Sequence, residues 1–214
     1  MLTVRTYRSG DRVAVRELFA FAGRGSPTES LWGDPVSEAA VYLDPYLDAV
    51  PGSVWLAERD DRLVGYLVGC PSSDLMPGED ARLASAIRQH RLLRNPAARR
   101  FFARSVRDMA VAKLRGRRTA GELHDERWPA HLHINVAETA RGSGAAEGLM
   151  RHFLSQLKEQ DVPGCYLQTV VENDRAVRFF RRMGFTPHGE AVPVPGVRYR
   201  GKPVHQLTMV RSTG

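Results

Sequence analysis

Residues 131–171, "HLHINVAETARGSGAAEGLMRHFLSQLKEQDVPGCYLQTVV", restrict the fold more than any other part of the chain. An apolar run of strand length, "HLHINV", leads into a loop with two glycines. A helical stretch follows, with Ala145, Leu149, Phe153 and Leu157 on one face. A second apolar run, "GCYLQTVV", closes the unit. Strand, helix and strand at this spacing predict a βαβ crossover and therefore one parallel strand pair. No second such unit is clear.

The flanking segments predict a mixed α/β domain. "LTVRTY" alternates like a first strand, and "GDRVAVRELFAFA" follows with Val15, Leu18, Phe19 and Ala22 at helical spacing and Asp11 as the expected N-cap. "EAAVYLDPYLDAV" predicts a second helical region, broken or kinked at Pro45. "SVWLAERDDRLVGYLVGC" predicts a hairpin turning at "DDR". From Asp74 to about Arg118 the pattern is helical and polar, with breaks at Pro77 and Pro96. "NDRAVRFFRRM" predicts a short helix ended by Gly184, and "VRYRGKPVHQLTMV" two closing strands around "GKP". There is no internal repeat or low-complexity linker, so residues 1–214 are expected to form one domain, with residues of about 74–129 as an insertion.

Charge marks out that insertion. Between Ser73 and Ala130 thirteen basic residues face seven acids, so this segment carries +6 of the net charge of +7. A solvated helical face is the plain expectation, and a nucleic-acid partner is not expected because no aromatic-rich recognition motif accompanies the arginines. No apolar run approaches the roughly 18 residues of a membrane helix, and "MLTVRTYRSGDRV" has no apolar leader core. Cys70 and Cys165 have no metal-type spacing and are expected to be buried free thiols. The reading is a soluble, cytoplasmic protein.

The glycine loop "TARGSGAAEGLM" opens a helix, where exposed N–H groups and the helix dipole favour anions. A Walker loop is excluded because no Gly-Lys-Ser/Thr follows. A dinucleotide fingerprint fits poorly: Gly142 and Gly144 supply the first two glycines, but Glu147 stands at the third. A plain tight helix start remains open on the glycines alone.

The loop can also be read as R-x-x-G-x-A, from Arg141, Gly144 and Ala146, and about thirty residues on comes "VVENDRAVRFFRRMGF". There Asn173 and Ala176 form N-x-x-A, and the helix ends in Gly184-Phe185. This pair of motifs resembles those of the GNAT superfamily of acetyl-coenzyme A-dependent N-acetyltransferases. The order of elements over most of the chain resembles that family as well. The resemblance implies a GNAT-like, mostly antiparallel mixed sheet around the one central βαβ unit. The basic helical insertion then falls between the third and fourth strands, where most members have a short turn. That long interruption, with "HLHIN" after it, resembles the acetyltransferase-like domain attached to eukaryotic O-GlcNAc hydrolases.

The resemblance implies acetyl-CoA as cofactor. Arg141 and the backbone of Gly142, Ser143, Gly144, Ala145 and Ala146 would hold its pyrophosphate. Asn135, Val136 and Asn173 would flank the pantetheine arm, and Phe180 would pack near the thiol end. In the family's pattern a tyrosine four residues after the alanine of N-x-x-A protonates the leaving thiolate; Phe180 occupies that place and has no proton to give. Thiols ionise near pH 8.5, so thiolate can leave without a strong acid. Backbone amides at an expected bulge near Val136 would polarise the carbonyl.

Glu172 and His133 are the expected catalytic bases, with His205 a third candidate. Each has a plainer role: a helix-start acid for Glu172, and a hydrogen-bonded strand residue for either histidine. Tyr42 and Tyr46 fall in the region that lines the acceptor pocket in this family and could replace the missing acid. His124, His131 and His133 lack an identifiable companion ligand, so no metal is expected. The expected activity is direct acetyl transfer to an amine, on a small molecule or on a protein lysine or N-terminus, with a homodimer as a candidate assembly. The alternative is a catalytically weak or inactive coenzyme A-binding module with a regulatory or protein-interaction role.

Overall fold

The computed structural model describes residues 1–22, 25–28 and 31–214. In chain order the elements are β1 (Leu2–Thr6), α1 (Arg12–Ala22), α2 (Pro35–Tyr42), α3 (Asp44–Ala49), β2 (Val54–Arg59), β3 (Arg62–Cys70), α4 (Glu79–Gln89), α5 (Pro96–Leu114), β4 (Ala130–Val136), α6 (Ala145–Glu159), β5 (Gly164–Val170), α7 (Asp174–Arg182), β6 (Thr186–Pro187), β7 (Val192–Tyr199) and β8 (Lys202–Ser212). The sheet runs β1-β2-β3-β4-β5-β8-β6, and β7 also pairs with β8. Among the described residues only β4 and β5 are parallel, and every other pair is antiparallel. The expected mixed, mostly antiparallel sheet with one central βαβ unit is therefore present, with α4 and α5 between the third and fourth strands.

Helices cover both faces. The α6 stripe of Ala145, Leu149, Phe153 and Leu157 is fully buried, with Val177 and Phe180 of α7, against Leu67, Leu132 and Leu167 of the sheet. Gly69 admits this packing, because a Cβ there would lie 2.1 Å from the Phe153 ring. On the other face Val15 of α1 and Leu43, Tyr46 and Leu47 around α3 pack on Val54, Leu56, Tyr66, Val68 and Cys70. Leu18 and Phe19 pack at the edge of that cluster, and the Ala22 side chain lies outside the described residues. A third cluster joins Ala86, Leu92, Ala98 and Phe101 of the insertion to Val170, Val197 and Val204. The insertion is thus packed onto the closing strands. Of its thirteen basic residues only Arg82 is buried, and the other twelve are exposed. Among the described residues no helix is long and apolar enough to cross a membrane. Both cysteines are buried and free.

Several local expectations are corrected. Asp11 does not cap α1; it ends a 3-10 turn, Ser9–Asp11, where its carboxylate accepts from the Arg8 N–H at 2.7 Å and from the Arg5 guanidinium. The break expected at Pro45 falls at Leu43 (φ −127°, ψ −60°), and Pro45 sits in the first turn of α3, where its missing N–H costs nothing. The closing hairpin turns at Arg200 and Gly201, both left-handed, so Lys202 and Pro203 belong to β8. No bulge occurs at Val136. The β3–β4 register runs unbroken from Gly65↔Val136 to Cys70↔His131, and an opening beside β4 comes instead from the divergence of β5.

Candidate active site

β4 and β5 share only two rungs, Ala130↔Cys165 and His131↔Tyr166. Beyond them β5 continues along β8 to Val170↔Gln206, while β4 stays with β3 as far as Val136. Residues Leu132–Val136 therefore present a strand edge to a gap in the middle of the sheet. At the end of β4 the chain turns away through Ala137, whose N–H donates to Val64 O at 2.8 Å, and reaches the start of α6.

That helix start is built without a side-chain cap. Gly142 (φ +78°) and Gly144 (φ +87°) adopt left-handed conformations that other residues reach only with strain. The space beside Gly142 is open. Ser143 is folded inward, with its N–H (3.3 Å) and hydroxyl (2.7 Å) both on Ala140 O. The amides of Ala145 and Ala146 in the first turn point out of the helix with the positive end of its dipole. Arg141 is held by Glu138 at 2.6 Å, an exposed pair that is cheap to exchange for an anion. Across the gap Asn173 Oδ1 accepts the Ala176 N–H at 3.2 Å and caps α7, so its capping role is present. Phe180 is core, buried against Phe179 and Phe185.

Alternation along β4 sends Leu132, Ile134 and Val136 to the α6 face and His131, His133 and Asn135 to the α3 face. Asn135 Nδ2 donates to the Tyr66 hydroxyl at 2.7 Å. Both histidine rings meet Tyr46 edge-on at 5.6 Å, and His133 meets Tyr42 at 6.3 Å. Burial first, then neighbouring positive charge, lowers the His131 pKa to about 3 and the His133 pKa to about 4, so both rings are neutral at pH 7.

The histidines line a cavity with Tyr46, Glu79, Arg82, Glu122, Tyr166 and Gln168, where β4 and β5 part. Arg82 is anchored there by proline chemistry. Pro45 has no N–H to offer the carbonyl of Val41 four residues back, and Arg82 donates to that oxygen at 2.9 Å. Its other branch donates to Glu122 at 3.2 Å, and Glu122 also accepts the Glu79 N–H at 3.0 Å. The Glu79 carboxylate accepts from Tyr42 Oη at 2.9 Å. Burial raises its pKa; the Tyr42 bond and Arg82 only partly offset this.

Glu172 lies apart from this cavity. It accepts the His205 backbone N–H at 3.1 Å and pairs with the His205 ring at 3.1 Å. Burial alone would raise its pKa, but these bonds outweigh burial and lower it. The structure thus brings His133 together with Tyr46 and places Tyr42 beside it, and pairs Glu172 with His205 on the β8 side. Glu79, Arg82, Glu122, Tyr166 and Gln168 were not singled out by sequence. One signal was available: Arg82 shares the buried stripe of α4 with Ala86, four residues on, where an arginine is out of place.

Residues 23–185 match the family model described as "Acetyltransferase (GNAT) family". Solved structures share the fold. An agmatine N-acetyltransferase in its apo form superposes with a TM-score of 0.65 at 17% identity, over 99% of each chain. A putative acetyltransferase from Salmonella typhimurium, yncA, solved with its cofactor acetyl-CoA, gives 0.61 at 13% identity, over 100% of this chain and 94% of that one. A ribosomal-protein-alanine N-acetyltransferase from Brucella melitensis gives 0.59 at 17% identity, over 98% and 99%. With three quarters of its length matched by the family model, on this sheet and around this gap, the chain belongs to the GNAT family of acetyltransferases, whose acetyl donor is acetyl-CoA.

Proposed function

We propose that the protein is an N-acetyltransferase that passes acetyl from acetyl-CoA directly to an amine, with the donor held in the gap between β4 and β5. One observation carries this reading: an unpaired strand edge runs along the gap, and the chain leaves that edge for an uncapped, glycine-opened helix start. The residues present fit the cofactor. The open space at Gly142 and the first-turn amides of α6 suit a pyrophosphate, with Arg141 exchanging Glu138 for phosphate charge. The edge at Asn135 and Val136 suits the amide-bearing pantetheine arm, Asn173 flanks it from the far side, and Phe180 supplies an apolar wall. Acetyl-CoA supplies the activated acyl group; the chain's residues orient the amine, exclude water and receive its protons.

His133 faces the acceptor side as a neutral imidazole, able to accept a hydrogen bond from the incoming amine. Glu172 contributes by fixing His205 at the start of the closing strand's inner stretch. The acceptor is an amine on a small molecule or a peptide, and two carboxylates, Glu79 and Glu122, at the small cavity where β4 and β5 part favour a cationic one. A second reading, a coenzyme A-binding module without turnover, is favoured by Phe180 at the place of the family's acid. Titration calorimetry with acetyl-CoA tests the donor site, and absence of saturable binding refutes both readings. Thiol release with agmatine, spermidine, a lysine peptide and an alanine-ended peptide then separates enzyme from module: turnover of any of them supports the enzyme.

A further inference from the structure

The donor site leaves the α3 side of the gap unexplained. Among the described residues four buried side-chain nitrogen or oxygen atoms lack a well-formed hydrogen bond, and three of them, Tyr46 Oη, Arg82 Nε and His131 Nε2, belong to residues lining one cavity, where Arg82 stands beside the Tyr46 hydroxyl. Leaving buried polar atoms unpaired is costly, so three around one space mark an occupant. The space measures about 20 Å³, room for one water, and a buried water needs two to four polar partners. The donor and acceptor roles are compatible. Arg82 Nε–H can only donate. Ser73 gives its hydroxyl proton to Pro129 O at 3.0 Å, so His131 Nδ1–H, 3.2 Å away, donates to Ser73 and leaves Nε2 as an acceptor. Tyr46 Oη can take either part.

Glu79 lies on the same cavity and comes from α4, in the inserted segment. The groups facing it are Tyr42 from α2, Tyr46 from α3, Asp80 and Arg82 from its own helix, Glu122 from the segment before β4, His131 and His133 from β4 and Tyr166 from β5. Glu122 is already bonded to Arg82 and to a backbone N–H, whereas Glu79 holds only the Tyr42 hydroxyl. We propose that the insertion between β3 and β4 supplies the proton acceptor of the transfer: Glu79, reached from the amine through one water held by Tyr46, Arg82 and His131. This rests on the amine-acetylation reading above. The ammonium gives one proton to the water, and the water passes one to the Glu79 carboxylate, leaving a neutral amine and a carboxylic acid. The amine nitrogen then bonds to the acetyl carbon as the carbon–sulfur bond breaks. Its second proton neutralises the departing thiolate, and Glu79 returns its proton to solvent.

Three measurements test it, two of them independent of any acceptor. A crystal structure of the full chain at a resolution that shows waters should place one within hydrogen-bond distance of all three atoms, and Tyr46→Phe should lose or displace it. An empty cavity, or one closed by the side chains pairing with each other, overturns the proposal. Carboxyl-carbon NMR, assigned with Glu79→Gln, should show Glu79 titrating above the usual glutamate range; titration within or below that range overturns it. With whichever panel amine turns over, Glu79→Gln should lower kcat about 100-fold and abolish the acidic limb of the pH profile, with acetyl-CoA affinity unchanged. A variant with wild-type kcat and the same acidic limb overturns the proposal. Failure of acetyl-CoA to bind the wild-type protein refutes the functional reading instead, and is told apart because it does not touch the water or the titration.

Discussion

Buried neutral imidazoles make the fold acid-sensitive, and the size of the effect can be worked out for His131. The residue is 6% exposed, and burial lowers its pKa from 6.5 to about 3. The folded value lies below the unfolded one. The contribution is therefore present in full above about pH 6.5 and is lost as pH falls toward about 3. Each unit of pKa shift is worth about 1.4 kcal/mol. Between pH 7 and pH 5 the unfolded ring gains a proton that the folded ring refuses, which removes about 2 kcal/mol. His133, lowered to about 4, gives up about as much again, and the sum is an upper bound because the two rings interact. Against a typical stability of about 5–15 kcal/mol this is a large fraction. Urea unfolding at pH 7, 6 and 5 should be compared for the wild type and His131→Gln, which cannot titrate. The stability advantage of the wild type should narrow by about 2 kcal/mol between pH 7 and pH 5. Glu79, with its raised pKa, shifts stability the opposite way, but it does so in both proteins and drops out of the difference. Parallel pH curves for the two proteins would refute the claim that His131 is neutral and desolvated.

Other outcomes follow from the packing and the helix starts. Gly69→Ala should destabilise by about 1–3 kcal/mol in chemical denaturation, because its new methyl meets the Phe153 ring at 2.1–2.7 Å. Gly144→Ala, at φ +87°, should weaken acetyl-CoA binding in calorimetry by roughly tenfold, since about 1–2 kcal/mol of backbone strain falls on the helix start. Asn173→Ala removes the cap on the Ala176 N–H and should lower stability by about 1 kcal/mol. Cys70 and Cys165 are buried, with their pKa values pushed up to about 11 and about 12. Ellman's reagent should therefore find no protein thiol in the native state and should report released coenzyme A alone.

The sequence was most readable where local chemistry decides the structure. The two left-handed aspartates at the "DDR" turn, the α6 stripe from Ala145 to Leu157, the Asn173 cap and the stop at Gly184 are set by residues within a few positions of each other. The proposed donor half of the site rests on equally local signals, one glycine loop and one N-x-x-A. The cluster proposed for the acceptor side does not rest on local signals. Glu79 and Glu122 are 43 residues apart and meet through a backbone N–H, and Arg82 reaches 41 residues back to the carbonyl that Pro45 leaves free. No period or spacing encodes such contacts. Asp11 misled because its carboxylate served the nearer Arg8 N–H and Arg5 before any helix start. The bulge expected at Val136 belonged to the idea that β4 must bend to open the gap, whereas β4 stays straight in register and β5 leaves it.

Two rungs between β4 and β5 also have a mechanical meaning. Among the described residues they are the only strand-to-strand tie between the four N-terminal strands and the four C-terminal ones. The two halves of the sheet are hinged there, braced by α6 behind and by the insertion clipped to β7 through Arg104 to Gly196 O and through Asp108 to Gly196 N–H and Arg198. Any change in the width of the gap would load those two rungs while each half keeps its own ladder. A ligand that bridges both lips acts as a missing set of rungs, and it should slow amide exchange in the lips far more than in the outer strands.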